Sequence, residues 1–161
     1  MDNINQKREF ARGVYKAVYR RAFWRNLSSR VKHQCNDLVP ATDIFGKLDL
    51  QERKDLGLQT VPLEQIVSST GRYRDFDLAY LPRRKEMEDR WVNIARLNYD
   101  GANLPPAILY KVRDIYIVED GNHRVSVARA SGQKTITATV IEIESSMLTP
   151  ESSCTRLGFK V

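Results

Sequence analysis

The chain has 161 residues, 26 of them Lys or Arg and 20 Asp or Glu, for a formal net charge of +6. That length suits one compact domain with an appendage and leaves no room for two large independent cores. Apolar residues at 42% and charged residues at 29% are the balance of a folding chain rather than a disordered one.

No apolar run approaches the roughly 20 residues needed to span a bilayer, so no integral membrane association is expected. The opening Met1-Asp-Asn-Ile-Asn-Gln-Lys-Arg-Glu carries no apolar stretch of the secretory kind, and a cytoplasmic setting is expected. Cys35 and Cys154 fit no metal-binding spacing and read as incidental thiols.

The charge is uneven. Residues 1–34 hold nine Lys/Arg against Asp2 and Glu9, whereas residues 35–161 hold 17 against 18 acids. Within this arm, residues 4–25 lack proline and predict a helix. Phe10, Val14, Ala17, Val18, Ala22 and Trp24 fall in one arc, and Arg8, Arg12, Lys16 and Arg20 recur every fourth residue outside it. Three uses suit such a helix. Its apolar arc can dock on the following domain or on a second subunit, giving a homodimer. Its cations, with Arg21 and Arg25, can grip nucleic-acid phosphates. It can also settle on an anionic membrane surface.

Residues 26–60 lose periodicity and predict a connector, with one short helix drawn from Ala41-Thr-Asp-Ile-Phe and Leu48-Asp-Leu-Gln-Glu-Arg-Lys-Asp. Leu58-Gln-Thr-Val-Pro-Leu predicts a strand at a sheet edge, because Pro62 cannot donate to a ladder. A helical turn is expected from Glu64, ending by Gly71. A basic loop follows, Gly71-Arg72-Tyr73-Arg74-Asp75-Phe76-Asp77. Residues 83–98 predict the second clear helix, with Met87, Trp91, Ile94 and Ala95 on one face. Ala107-Ile-Leu-Tyr-Lys and Ile115-Tyr-Ile-Val-Glu predict paired strands, and the β-branched run from Thr135 to Ile143 a third.

One turn carries most of the chemistry. Between the last two strands, Glu119-Asp120-Gly121-Asn122-His123-Arg124 leads into an apolar-periodic segment that stops at Gly132. A strand that turns at a glycine into a helix gathers unpaired backbone N–H groups and the positive end of a helix dipole, which favours an anion. Arg124 adds a guanidinium fork suited to phosphate oxygens. His123 can donate to the same phosphate or exchange a proton, and Asp120 can orient it or hold Mg²⁺. Each also has a structural use, since glycine is common in tight turns and Asp can cap a helix.

The run from Tyr116 to Gly132, with the strand after it, resembles the nucleotide-binding segment of the ParB/sulfiredoxin superfamily. In that family a strand leads into Gly-Glu-Arg-Arg or Gly-Cys-His-Arg, then a helix, then a strand. Leu58 to Ile66, the basic loop at Gly71 and Leu104-Pro-Pro-Ala-Ile-Leu-Tyr extend the likeness over about residues 58–144. The resemblance implies an α/β (α+β) fold, a small mixed sheet with packed helices, preceded here by the basic N-terminal helix. It divides the chain into an arm and connector at 1–57, a nucleotide-binding domain at 58–144 and a tail at 145–161. Gly121 and Arg124 stand at its phosphate-binding positions, and His123 at the sulfiredoxin histidine. The departures are equally informative. Asn122 occupies the sulfiredoxin catalytic cysteine position, so sulfinic acid reduction is not expected. The 17 residues after Glu144 are too few for the helix-turn-helix domain of a complete partition protein.

The expected ligand is therefore a nucleoside di- or triphosphate with Mg²⁺, the metal on Asp120. The expected cradle is Gly121, Asn122, His123, Arg124, Arg72, Tyr73 and Arg74, with Tyr73 stacking a base. His123, Asp120, Asp75 and Asp77 are the candidates for acid or base work in a phosphotransferase or nucleotide hydrolase. The competing expectation is a non-enzymatic DNA- or RNA-binding module that uses the arm; a ParB-like nuclease is weakened by Asn122.

Overall fold

A computed structural model describes residues 2–46 and 50–145. Its elements in chain order are helix α1 (Asp2–Val31), strand β1 (Val39–Pro40), helix α2 (Ala41–Phe45), strand β2 (Leu50–Pro62), a 3₁₀ turn (Leu63–Gln65) and strand β3 (Ile66–Ser69). A second 3₁₀ turn (Lys85–Met87) leads into helix α3 (Glu88–Tyr99), followed by β4 (Ala107–Val112), β5 (Ile115–Asp120), α4 (Asn122–Ala130) and β6 (Thr135–Ser145). Six strands form one mixed sheet in the order β1-β3-β5-β4-β6-β2. β1, β3 and β5 run parallel, as do β4 and β6, while β4 with β5 and β6 with β2 are antiparallel.

The expected mixed α/β architecture is present, with two local corrections. The segment from residue 50 into the expected strand is strand throughout: β2 pairs with β6 from Leu50 to Pro62. No helix forms on its charged run, because β2 is an edge strand whose Glu52, Arg53, Lys54 and Asp55 remain solvated. The helical turn expected from Glu64 is a single 3₁₀ turn, after which Ile66-Val-Ser-Ser forms β3 between β1 and β5. All four of its residues are buried. A strand covered on both faces shows no alternation. Its hydroxyls are satisfied, Ser68 donating to the Val39 carbonyl at 2.6 Å and Ser69 to the Gly71 carbonyl.

Helices α1, α3 and α4 stack on one face of the sheet. Leu109, Val118, Ala138 and Val140 meet Val125 and Ala128 of α4, with Phe76 and Tyr80 of the loop filling the same core. α3 packs against α4 through Trp91, whose indole N–H donates to Ser126 Oγ at 2.9 Å. α1 lies outermost, Ala11 and Tyr15 packing with Trp91, Val92 and Ala95. On the opposite face, Val112, Ile117 and Ile143 pack with Ala41 of α2.

The arm is a docked helix, longer than its periodicity suggested, and its buried face differs from the expected arc. Ala11, Tyr15 and Ala22 are buried, whereas Phe10 and Trp24 remain 62% and 63% exposed. The choice follows from packing: Ala11 permits close approach to α3, and the Tyr15 hydroxyl donates to the Arg84 carbonyl at 2.6 Å. Burial raises the Tyr15 pKa, with Glu88 adding to the effect. Cys35 is not a free thiol; Cys154 lies outside the described residues. No helix among the described residues is long and apolar enough to cross a membrane.

Candidate functional site

The site forms where β5 ends. Gly121 turns the chain with φ 103° and ψ 21°, in the left-handed region. A Cβ there would lie 2.8 Å from the Cβ of Ala107 and 2.8 Å from Nε of Arg124, so glycine is required on both backbone and steric grounds. The first helical bond of α4 runs from the Val125 N–H to the Gly121 carbonyl. The N–H groups of Asn122, His123 and Arg124 therefore have no intrahelical acceptor, and no side chain caps them.

A cavity of about 230 Å³ opens over this turn, lined by Gly71 and Arg72 from the loop after β3, Arg90 and Ile94 from α3, and residues 119–124. Beside it, a hollow of about 290 Å³ is shared by Arg72, Asp75, Arg84, Arg90 and His123. Arg124 also borders a groove of about 580 Å³, which includes Ile94, Asn98, Asn103 and Leu104.

His123 lies in the wall between the first two spaces. It is 5% exposed, its ring meets Phe76 edge-on at 5.5 Å, and neither ring nitrogen has a hydrogen-bond partner. Burial lowers its pKa to about 4, and the positive charges of Arg90 and Arg72 push in the same direction, against Asp75. The imidazole is neutral at neutral pH. Asn122 Oδ1 and Arg124 Nε are likewise buried without a partner. Buried polar atoms are rarely left so, because each unmade hydrogen bond costs about 1–3 kcal/mol. Here several fall around one helix terminus.

The carboxylates are largely engaged. Asp120 is paired with Arg124, and Asp75 lies between Arg84 at 3.1 Å and Arg72 at 3.3 Å. Glu119 lines the cavity, and Glu86 the hollow beside it. Arg90 makes no ion pair among the described residues and contributes an unspent cation. Among those residues no group of three His, Cys, Asp or Glu is placed to hold a metal ion. Asp120, the carboxylate expected to carry Mg²⁺, is held by the Arg124 guanidinium.

The structure thus brings together Arg72, Asp75, Asp120, Gly121, Asn122, His123 and Arg124. It does not bring the rest of the basic loop to them. Tyr73 packs partly into the main core, and the Arg74 guanidinium stacks over its ring at 5.5 Å. Asp77 is fully buried, accepting from the N–H groups of Ala79 and Leu81 at 2.9 Å each and from Arg25 Nε at 3.3 Å. Its carboxylate shapes the loop and fastens the arm. Arg90 and Arg84 are site residues that sequence reasoning missed. Arg90 and Ile94 are four apart on α3, but nothing in that spacing shows that their face meets the Gly121 turn.

Of the six cations proposed for nucleic acid, three are engaged within the chain. Arg8 and Arg12 pair with Asp89, Arg12 also with Glu88 at 3.0 Å, and Arg25 with Asp77. Lys16, Arg20 and Arg21 remain exposed.

No family model matches the chain, and no curated protein does. A search of solved structures finds the crystal structure of sulfiredoxin from Arabidopsis thaliana, with 18% sequence identity and a TM-score of 0.40. The match covers 52% of this chain and 82% of that one. A likeness this distant assigns no residue a role.

Proposed function

We propose that the chain binds the phosphate of a nucleotide-class ligand at the Gly121 turn. The observation that carries this reading is the set of partnerless buried atoms, both nitrogens of His123, Oδ1 of Asn122 and Nε of Arg124, around an uncapped helix N-terminus. A phosphate there accepts from the backbone N–H groups, from Arg124 and from one nitrogen of a neutral His123. Arg90 and Arg72 supply charge. The adjoining groove shares Arg124 with the phosphate cavity, and its volume is in the range of small-molecule sites. Ile94 and Leu104 offer apolar surface to a nucleoside, and Asn98 and Asn103 offer amides.

Binding is favoured over catalysis by one physical argument. A general base works best with a pKa near the operating pH, and His123 at about 4 is a weak base at neutral pH. A bound phosphate stabilises the imidazolium and raises that pKa, so affinity should strengthen as the pH falls toward it.

Thermal-shift measurements with inorganic phosphate, ADP, ATP, CTP and GTP, with and without Mg²⁺, test this proposal. A ligand at ten times its Kd should stabilise the fold by about 1.4 kcal/mol. Arg124→Ala should abolish the shift. If none of these compounds shifts the transition at millimolar concentration, the reading fails.

A further inference from the structure

Helix α1 has a second apolar face. Phe23, Leu27 and Val31 recur every fourth residue on the side away from buried Ala11 and Ala22, with Trp24 beside them. They are 57%, 45%, 72% and 63% exposed respectively. Phe23 and Trp24 touch edge to face at 5.6 Å, and a hollow of about 190 Å³ between Phe23, Leu27 and Arg30 adjoins the strip. Singly exposed apolar residues are ordinary, but four contiguous large ones mark a contact surface.

The surrounding charge has one sign. No Asp or Glu occurs from Phe10 to Asn36. Arg12 and Arg25 are tied to Glu88 and Asp77, whereas Lys16, Arg20, Arg21 and Arg30 are exposed and make no ion pair among the described residues.

We propose that this strip docks on the surface of an anionic lipid bilayer, with α1 lying in the plane of the interface. A helix with Trp, Phe and Leu on one face and uncompensated Arg and Lys around it has the two terms that such adsorption needs, apolar burial and attraction to acidic headgroups. The strip lies on the side of α1 away from the Ala11 and Tyr15 face that packs on α3, and all four of its side chains are open to solvent. A second copy is a poorer occupant. With aromatic side chains of roughly 150–250 Å², the strip exposes on the order of 500 Å², short of the ~800 Å² per partner of a standard interface. Pairing two such helices also brings like charges together. Nucleic acid would satisfy the cations, but it offers Leu27 and Val31 no apolar partner.

The full chain carries its own probe. It has two tryptophans; Trp91 is fully buried and bonded to Ser126, so a change in emission reports Trp24. Titration with phosphatidylglycerol-containing vesicles should shift Trp emission to the blue and cosediment the protein, an effect that salt weakens. Pure phosphatidylcholine vesicles should do neither. Trp24→Ser with Leu27→Ser, both solvent-facing, should weaken cosedimentation at least tenfold while leaving any phosphate-induced thermal shift intact. Three results overturn the proposal: no cosedimentation with anionic vesicles, unchanged cosedimentation of the double variant, or a stronger emission response to single-stranded oligonucleotide than to vesicles. A blue shift that grows with protein concentration in the absence of vesicles also overturns it, in favour of self-association.

Discussion

Two buried polar clusters meet the loop at residues 72–77, and they are built to opposite plans. Asp77 is fully buried, and its carboxylate accepts from two backbone N–H groups, from Arg25 and from Asn36. Both ring nitrogens of His123, Oδ1 of Asn122 and Nε of Arg124 are also hidden, yet none of them has a partner. A satisfied cluster rigidifies a fold, while an unsatisfied one at a cavity wall destabilises it until a ligand supplies the missing bonds. Two carboxylates two residues apart in sequence, Asp75 and Asp77, thereby acquire different uses, one beside the cavity and one within the scaffold.

The contrast is broken most severely at Asp77. Asp77→Ala orphans two backbone donors and the Arg25 guanidinium, and should lower stability by about 3–4 kcal/mol in urea unfolding. If the loop tolerates it with less than about 1 kcal/mol lost, the cluster does not fasten the arm. Next in size is Gly121→Ala, which forces a Cβ into the left-handed region and against Ala107 and Arg124. It should cost about 1–3 kcal/mol and abolish the proposed phosphate binding by moving the α4 terminus.

The third test exploits the histidine. Its folded pKa of about 4 lies below the ordinary value of 6.5. The unfolded chain therefore binds the extra proton between those values. Stability should fall as the pH is lowered from about 6.5 toward 4, by about 3 kcal/mol from this group. His123→Leu should remove that part of the slope when wild type and variant are compared by urea unfolding across the window. Because the imidazole has no hydrogen bond to lose, stability at pH 7 should change by less than about 1 kcal/mol. In the Asp77 cluster the same kind of replacement would be ruinous. The smallest effect is expected from Arg90→Ala, which removes a repelling charge and should raise the His123 pKa measurably by NMR titration while leaving the fold unchanged.

Much of the fold was legible along the chain because the elements that carry it are one-sided. β4, β5 and β6 have the β-branched and aromatic content of strands, and α3 and α4 have clear apolar spacing, so the turn between Asp120 and Asn122 was locatable from Gly121 and its flanks. β2 and β3 were hidden for opposite reasons. The first half of β2 is an exposed edge rich in charge, and β3 is so thoroughly buried that it shows no alternation. The candidate site was half legible: Gly121 to Arg124 and Arg72 are local signals, but Arg90 and Arg84 reach the site from another element. Tyr73, Arg74 and Asp77 share with Arg72 a loop that resembles the family's basic loop, but a loop sends neighbouring side chains in different directions, and only Arg72 and Asp75 face the cavities.

The sequence by itself determined a glycine turn between strand and helix and a basic helix at the N-terminus, since both depend on short-range pattern: backbone freedom at one residue, and charge and apolar spacing along one element. Only the tertiary structure decided which face of that helix is buried and which cations are spent. It likewise decided that His123 is enclosed without a partner. Those outcomes depend on what α3 and the loop place alongside, and burial turns an ordinary imidazole into one held neutral beside two guanidinium groups.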